Sequence, residues 1–298
     1  MKNVECNRLT KKYGSIYAVN DLTFSIPENS ITGLIGRNGA GKTTLLKMLA
    51  GFLLPSGGTV RILGQNPFNN LQVAANLIFI DDELALPENM NLGEILDTAA
   101  TFYENWQPDI AYGLLDYFSL DLRSYYQQLS KGMKSTFNVI LGIAARCPIT
   151  IFDEPTVGMD AAVRKDFYRA LLKDYLQQPR TIILSSHLLG EIEDLLDSIL
   201  LIDAGKKCLH LSMDELRSYA VGLSGNSKLL HELVKEEDII FRQQLGKDKI
   251  YLVVRNRKID FSAARFKGLE IGPVPANDLC VYLTAKHKGG IDDVFKHS

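Results

Sequence analysis

The feature that most limits what this chain can become is GRNGAGKT at residues 36–43, which fits the pattern GxxxxGK[ST]. It follows the apolar run SITGLI at 30–35 and opens an amphipathic stretch from Lys42 to Leu49, closed by Gly51. A polyphosphate is gripped at close range by backbone N–H groups, which side chains would obstruct. Gly36, Gly39 and Gly41 clear that space, and the start of the following helix adds its positive end. Arg37, Asn38 and Ala40 complete the loop. Lys42 is placed to reach the β- and γ-phosphates of a nucleotide, Thr43 to put its hydroxyl on Mg²⁺, and Thr44 to sit one residue further into the phosphate-facing turn.

The first two hundred residues alternate short apolar runs with amphipathic stretches, the pattern of a parallel sheet covered by helices. Strands are expected at 22–26, 30–35, 59–63, 77–80, 149–152, 181–186 and 198–202, and their near-continuous apolar runs imply burial on both faces. Helices are expected from Lys42 to Leu49, from Lys131 to about Arg146, and from Asp160 to about Leu176 with Val163, Phe167, Ala170 and Leu171 on one face. Residues 86–147 carry helix signals without a strong strand and read as a helical insertion. After a turn at Ala204–Gly205 one more edge strand is expected, followed by a capping box in SMDE at 212–215. Beyond residue 221 the chain reads as a small α+β unit: a helix in NSKLLHELV, two strands joined across GKDK and a last helix in NDLCVYLT. The expected domains are therefore 1–220 and 221–298, in keeping with 298 residues in total.

A second pattern is ITIFDE at 149–154, an apolar strand ending in two carboxylates. Such a strand delivers Asp153 to the shell of a Mg²⁺ ion and leaves Glu154 to polarise an attacking water, the cation relieving the repulsion between adjacent anions. Between the two patterns, LSKGM at 129–133 sets Ser130 before a helix with Gly132 in its first turn, a candidate anion site.

Composition excludes several classes. Net charge is −2, with 46% hydrophobic and 23% charged residues, so a collagenous, disordered or nucleic-acid-seeking chain is not expected. The four cysteines, Cys6, Cys147, Cys208 and Cys280, form neither a zinc cluster nor a disulfide framework and fit a reducing cytoplasm. The N-terminal stretch lacks the apolar core of a signal peptide, and the run VILGIAA at 139–145 is far short of the ~20 residues that span a bilayer, so a membrane crossing is expected to come from another chain.

Taken in order, the phosphate loop, LSKGM, the Asp-Glu pair, PTVGMD at 155–160 and the strand-end His187 in SSH resemble the ATP-binding cassette (ABC) ATPases over residues 2–220. That resemblance implies a P-loop NTPase core with an antiparallel β edge subdomain around Tyr13 and a helical subdomain. It implies that LSKGM corresponds to the LSGGQ signature, that Asp160 lies in the D-loop crossing a dimer interface, and that His187 is the switch histidine touching the γ-phosphate. Tyr13 corresponds to the aromatic residue that stacks on adenine, and Val19 to the apolar residue beside it. Two ATP molecules are then sandwiched head to tail between two copies of the chain, or between it and a homologous ATPase subunit. Ser130 and Gly132 of one subunit meet the nucleotide held by Lys42 of the other, and hydrolysis lets the halves part. The implied activity is ATP hydrolysis energising export through a separate multi-span membrane permease, with the chain cytoplasmic and peripheral at the membrane.

Two positions depart from the family pattern. Lys131 and Met133 replace Gly and Gln of the signature, as in bacterial cassette ATPases that look like the YtrB-type exporters. Spacing to MNL puts Asp82 where a Q-loop glutamine normally stands, so Asp82 is expected to keep the metal role with a carboxylate in place of an amide. The alternative is a soluble ABC ATPase without a membrane partner. Repair relatives carry a long coiled coil between the loop and the Asp-Glu pair, and no heptads occur there in this chain.

Overall fold

In the computed structural model, which describes residues 2–256 and 268–285, the chain divides into two units. The first comprises Met1–His187 and Asp194–His210, the second Leu188–Glu193 and Leu211–Ser298.

The first unit is built on β1 (Lys2–Tyr13), β2 (Ile16–Pro27), β3 (Ile31–Ile35), α1 (Lys42–Leu49), β4 (Gly57–Ile62), α2 (Leu71–Ala75) and β5 (Leu77–Ile80). It continues through α3 (Leu92–Phe102), α4 (Pro108–Tyr117), α5 (Lys131–Ala144), β6 (Ile149–Asp153), α6 (Ala161–Gln177), β7 (Thr181–Ser186), β8 (Ser198–Asp203) and β9 (Lys206–Ser212), whose last two residues pass into the second unit. A six-stranded sheet has the order β5-β6-β7-β3-β8-β9. Its pairs from β5 through β8 are parallel, in registers such as Ile31 with Ile182 and Asp153 with Ser185. The strands β3, β5, β6 and β7 are buried along their whole length, as their uninterrupted apolar runs require of a sheet with helices on both faces.

The runs at 22–26 and 59–63 do not share that burial. They belong to a separate antiparallel sheet, β2-β1-β4, in which Leu22, Phe24, Ile26, Val60 and Ile62 point inward while Thr59 and Arg61 are exposed. Antiparallel edge sheets keep one face in water, so these strands alternate. Their inner face joins the side chains of α1 in a continuous core that includes Leu45, Leu46 and Met48.

Residues 86–147 hold α3, α4 and α5. The first is started by a reciprocal capping box between Asn91 and Glu94, the second by Pro108 at its first helical position. Helix α6 buries Phe167, Tyr168 and Leu171 together with Asp174, a charged residue on an otherwise apolar face.

The second unit opens with α7 (Met213–Ser218), whose capping box joins Ser212 and Glu215. It continues through β10 (Ala220–Asn226), α8 (Ser227–Leu233), β11 (Ile239–Gln244), β12 (Lys249–Arg255), β13 (Glu270–Pro273) and α9 (Ala276–Leu283). The strands form an antiparallel sheet of order β11-β12-β10-β13, the arrangement of a split βαβ unit. One face packs Leu223, Leu252 and Val254 against Leu230 of α8. Tyr282 of α9 stacks on Phe241 of β11 with ring centres 4.0 Å apart. Residues 257–267 and 286–298 of the expected C-terminal domain lie outside the described residues.

Candidate functional site

The loop between β3 and α1 is shaped by glycines that no other residue could replace. Gly41 has φ +100°, and a Cβ there would lie 2.1 Å from the Ala18 carbonyl oxygen. At Gly36 a Cβ would come within 2.5 Å of the Ile202 carbonyl oxygen. The loop closes on itself through Ala40 N–H to the Arg37 carbonyl at 3.0 Å, and Gly205 N–H donates to the Ala40 carbonyl at 3.0 Å. Gly41 is the N-cap of α1 and offers no side chain, so the amides of the first turn face open space, a geometry suited to an anion.

Around this loop lies a cavity of about 460 Å³, lined by residues 37–44 with Ala18, Glu154, Val157 and His187. Lys42 is buried; its Nζ donates to the Gly36 carbonyl at 2.7 Å and stands 3.1 Å from Glu154 Oε1. The other oxygen of Glu154 is 2.8 Å from His187 Nδ1. A carboxylate only accepts, so this contact assigns the proton to Nδ1. Glu154 itself adopts a left-handed φ of 47°, which turns its carboxylate away from the strand direction and toward the loop. Its N–H donates to Ser185 Oγ at 2.9 Å, and Ser185 Oγ donates to Asp153 Oδ1 at 2.6 Å. The register of β6 against β7, which sets Asp153 beside Ser185, thus fixes both carboxylates. Ser185 was not among the residues expected from sequence, although the run TIILSS contains it.

The structure brings residues 37–44, Glu154 and His187 together around the loop cavity, whereas Ser130, Gly132 and Asp160 lie elsewhere. Ser130 is the N-cap of α5, accepting from Met133 N–H at 3.3 Å, and Asp160 caps α6 by accepting from Ala162 and Val163 N–H at 2.9 Å. A Cβ on Gly132 would stand 2.4 Å from the Gly158 carbonyl oxygen, and Ser135 Oγ donates to the Val157 carbonyl at 2.7 Å, so the start of α5 and the segment 155–160 are fitted to each other. None of Ser130, Gly132 and Asp160 lines the loop cavity. Tyr13 is half-exposed on the β1–β2 hairpin with Lys11 Nζ 5.3 Å from its ring centre. Val19 differs from its expected position beside the base: strand alternation turns it wholly into the core, and neighbouring Ala18 lines the cavity instead.

Asp82 likewise points away from the loop, half-exposed, with its Oδ2 3.7 Å from Lys131 Nζ. Its neighbour Asp81 is the more enclosed carboxylate. Burial pushes its pKa above the usual carboxylate range while Lys47, 4.0 Å away, pulls it back, and Asn138 of α5 donates to its carbonyl at 3.2 Å. Among the described residues no group of three or more His, Cys, Asp or Glu is disposed to hold a metal by itself.

A glycine-wrapped helix start, a buried lysine and a strand-end carboxylate pair on a parallel sheet define a nucleoside-triphosphate-binding protein of the P-loop class. Residues 19–157 match the ABC transporter family model. The chain is 30% identical to Nod factor export ATP-binding protein I of Ralstonia nicotianae, over 72% of its own length and 68% of that protein's. It is also 25% identical to the ABC transporter ATP-binding protein YtrB of Bacillus subtilis, over 94% of this chain and 95% of that one. A solved structure described as the ATP-binding subunit of an ABC transporter superposes with a TM-score of 0.65 at 27% identity, covering 72% of this chain and 91% of that chain. The chain belongs to the ABC transporter family as an ATP-binding, ATP-hydrolysing subunit. No helix among the described residues is long and apolar enough to cross a membrane.

Proposed function

We propose that this subunit energises export through a separate membrane permease, by closing as a pair over ATP and reopening after hydrolysis. The observation that carries the catalytic part is the convergence of Lys42 and His187 on the two oxygens of Glu154 at the mouth of the loop. ATP entering the cradle offers Lys42 phosphate oxygens in place of Glu154 Oε1. That oxygen is then free to accept a proton from water as the water attacks the terminal phosphorus and ADP departs. His187 holds Glu154 through its Nδ1–H before ATP is seated and then swings to the terminal phosphate. Backbone amides of 37–44 hold the remaining phosphates, and Tyr13 stacks on the adenine ring.

The donor set next to the loop fits Mg²⁺. Thr43 supplies a hydroxyl and Asp153 a carboxylate held in place by Ser185, all hard oxygen donors. When bound there, Mg²⁺ neutralises charge on the phosphates. Asp82 reaches such a site only if its loop turns away from Lys131.

A second copy supplies Ser130 and Gly132, which lie at the start of α5 outside the cavity of their own chain. Membrane coupling is supported by an apolar groove of about 420 Å³ whose lining includes Phe52, Phe79, Leu84, Met90 and Phe102, with Phe52 and Phe102 largely exposed. Apolar surface of that kind fits an amphipathic segment of a membrane subunit. The resemblance to the Nod factor export protein supports export as the direction.

The decisive experiment is Glu154→Gln. Removing the base is expected to slow hydrolysis by about 10²–10⁴-fold, with ATP still retained and an ATP-dependent dimer accumulating on size-exclusion chromatography. Turnover at the parental rate overturns the assignment.

A further inference from the structure

The segment Leu188–Glu193 interrupts the first unit: His187 before it and Asp194 after it belong there, yet the six residues between group with the C-terminal unit. Leu189 and Ile192 are fully enclosed. Contacts with α9 and α7 anchor the segment. Helix α9 packs on the turn Leu189–Glu191, where a Cβ built on Gly190 lies 4.0 Å from Asn277 Cβ. At the other end Arg217 Nε of α7 stands 3.6 Å from Glu193 Oε1. Only three peptide links separate Gly190 from His187, whose 2.8 Å contact with Glu154 is lost if the ring shifts by about 1 Å.

We propose that the C-terminal unit regulates hydrolysis by holding Leu188–Glu193, which makes Gly190, Glu193, Arg217 and Asn277 positioning residues for His187. The proposal rests on the roles given above to Glu154 and His187. The segment must shift as His187 moves between Glu154 and the terminal phosphate, so holding it more tightly slows turnover. ATP uptake by residues 37–44 does not depend on it.

The test uses the full chain carrying Gly190→Cys and Asn277→Cys in a Cys208→Ser background, which removes the exposed native thiol. A Cβ separation of 4.0 Å falls within disulfide geometry. Oxidation is expected to lower kcat by about tenfold or more with KM for ATP unchanged, reversed fully by reductant. Reduced and oxidised forms are the same folded protein, so misfolding cannot mimic this result. An unchanged kcat in completely cross-linked protein overturns the proposal, as does failure of the two cysteines to pair. His187→Ala with parental turnover overturns the site reading and the proposal together.

Discussion

Asp174 lies on α6 with 4% of its side chain exposed, between Arg146 Nη2 at 2.6 Å and Arg180 Nη1 at 2.7 Å. Arg180 is as enclosed as its partner and also donates from Nε to Thr150 Oγ1 at 3.3 Å. Replacing Asp174 by alanine leaves two guanidinium groups facing each other without an anion. Breaking a buried pair in this way costs about 3–5 kcal/mol. At about 2–4 °C per kcal/mol for a unit of this size, the melting midpoint falls by about 6–20 °C. The sole tryptophan, Trp106, lies in the helical insertion of the same unit and reports its unfolding by fluorescence. Asp174→Asn keeps the shape but not the charge and is expected to lose nearly as much. Removing Asp21, paired with Arg8 at 3.2 Å with both side chains largely exposed, is expected to change the midpoint little. A drop of less than about 2 °C for Asp174→Ala, or equal effects at Asp174 and Asp21, refutes the view that this enclosed cluster ties α6 to the segments following α5 and preceding β7.

Other expectations follow from single contacts. Gly41→Ala forces a Cβ onto the Ala18 carbonyl at a positive φ, so nucleotide binding measured by a fluorescent ATP analogue is lost even where the protein still melts cooperatively. Burial pushes the Cys147 thiol up to about 12 and Cys6 higher still, and Cys280 is enclosed. At pH 8 the Cys147 thiolate fraction is therefore about 10⁻⁴. A thiol reagent should titrate Cys208 alone in native protein and all four cysteines in denaturant; a second rapidly reacting native thiol contradicts the burial. Phe102→Glu places a charge in the apolar groove and is expected to abolish copurification with a membrane partner while the isolated subunit hydrolyses ATP at the parental rate; retained copurification argues against that groove as the docking face.

Much of this chain was legible in its sequence because the relevant signals are local. The phosphate loop needs glycines at fixed spacing, and α1 begins and ends where the sequence places it, at Lys42 and Leu49. The buried strands β3, β5, β6 and β7 announce themselves as apolar runs, and the capping box at Ser212 and Glu215 is a pattern of neighbours. Less visible were β1, β10 and β13. The first reads KNVECNRLTKKY, with charges on its wet face, and the other two carry Gly or Pro within short runs. Their strand character comes from the partners they pair with.

Only tertiary structure could decide the rest. Nothing local in LKDYL marks Asp174 as enclosed, since its burial depends on Arg146, 28 residues earlier, closing over it together with Arg180 just beyond the end of α6. Ser185 matters through a cross-strand register, Val19 turns inward through the pleat of β2, and Asp82 meets Lys131 across a gap of nearly fifty residues. Backbone conformation is written in neighbouring residues because sterics act over a few bonds. Side-chain partnership is a property of distance in space, which the order of residues along a chain does not contain.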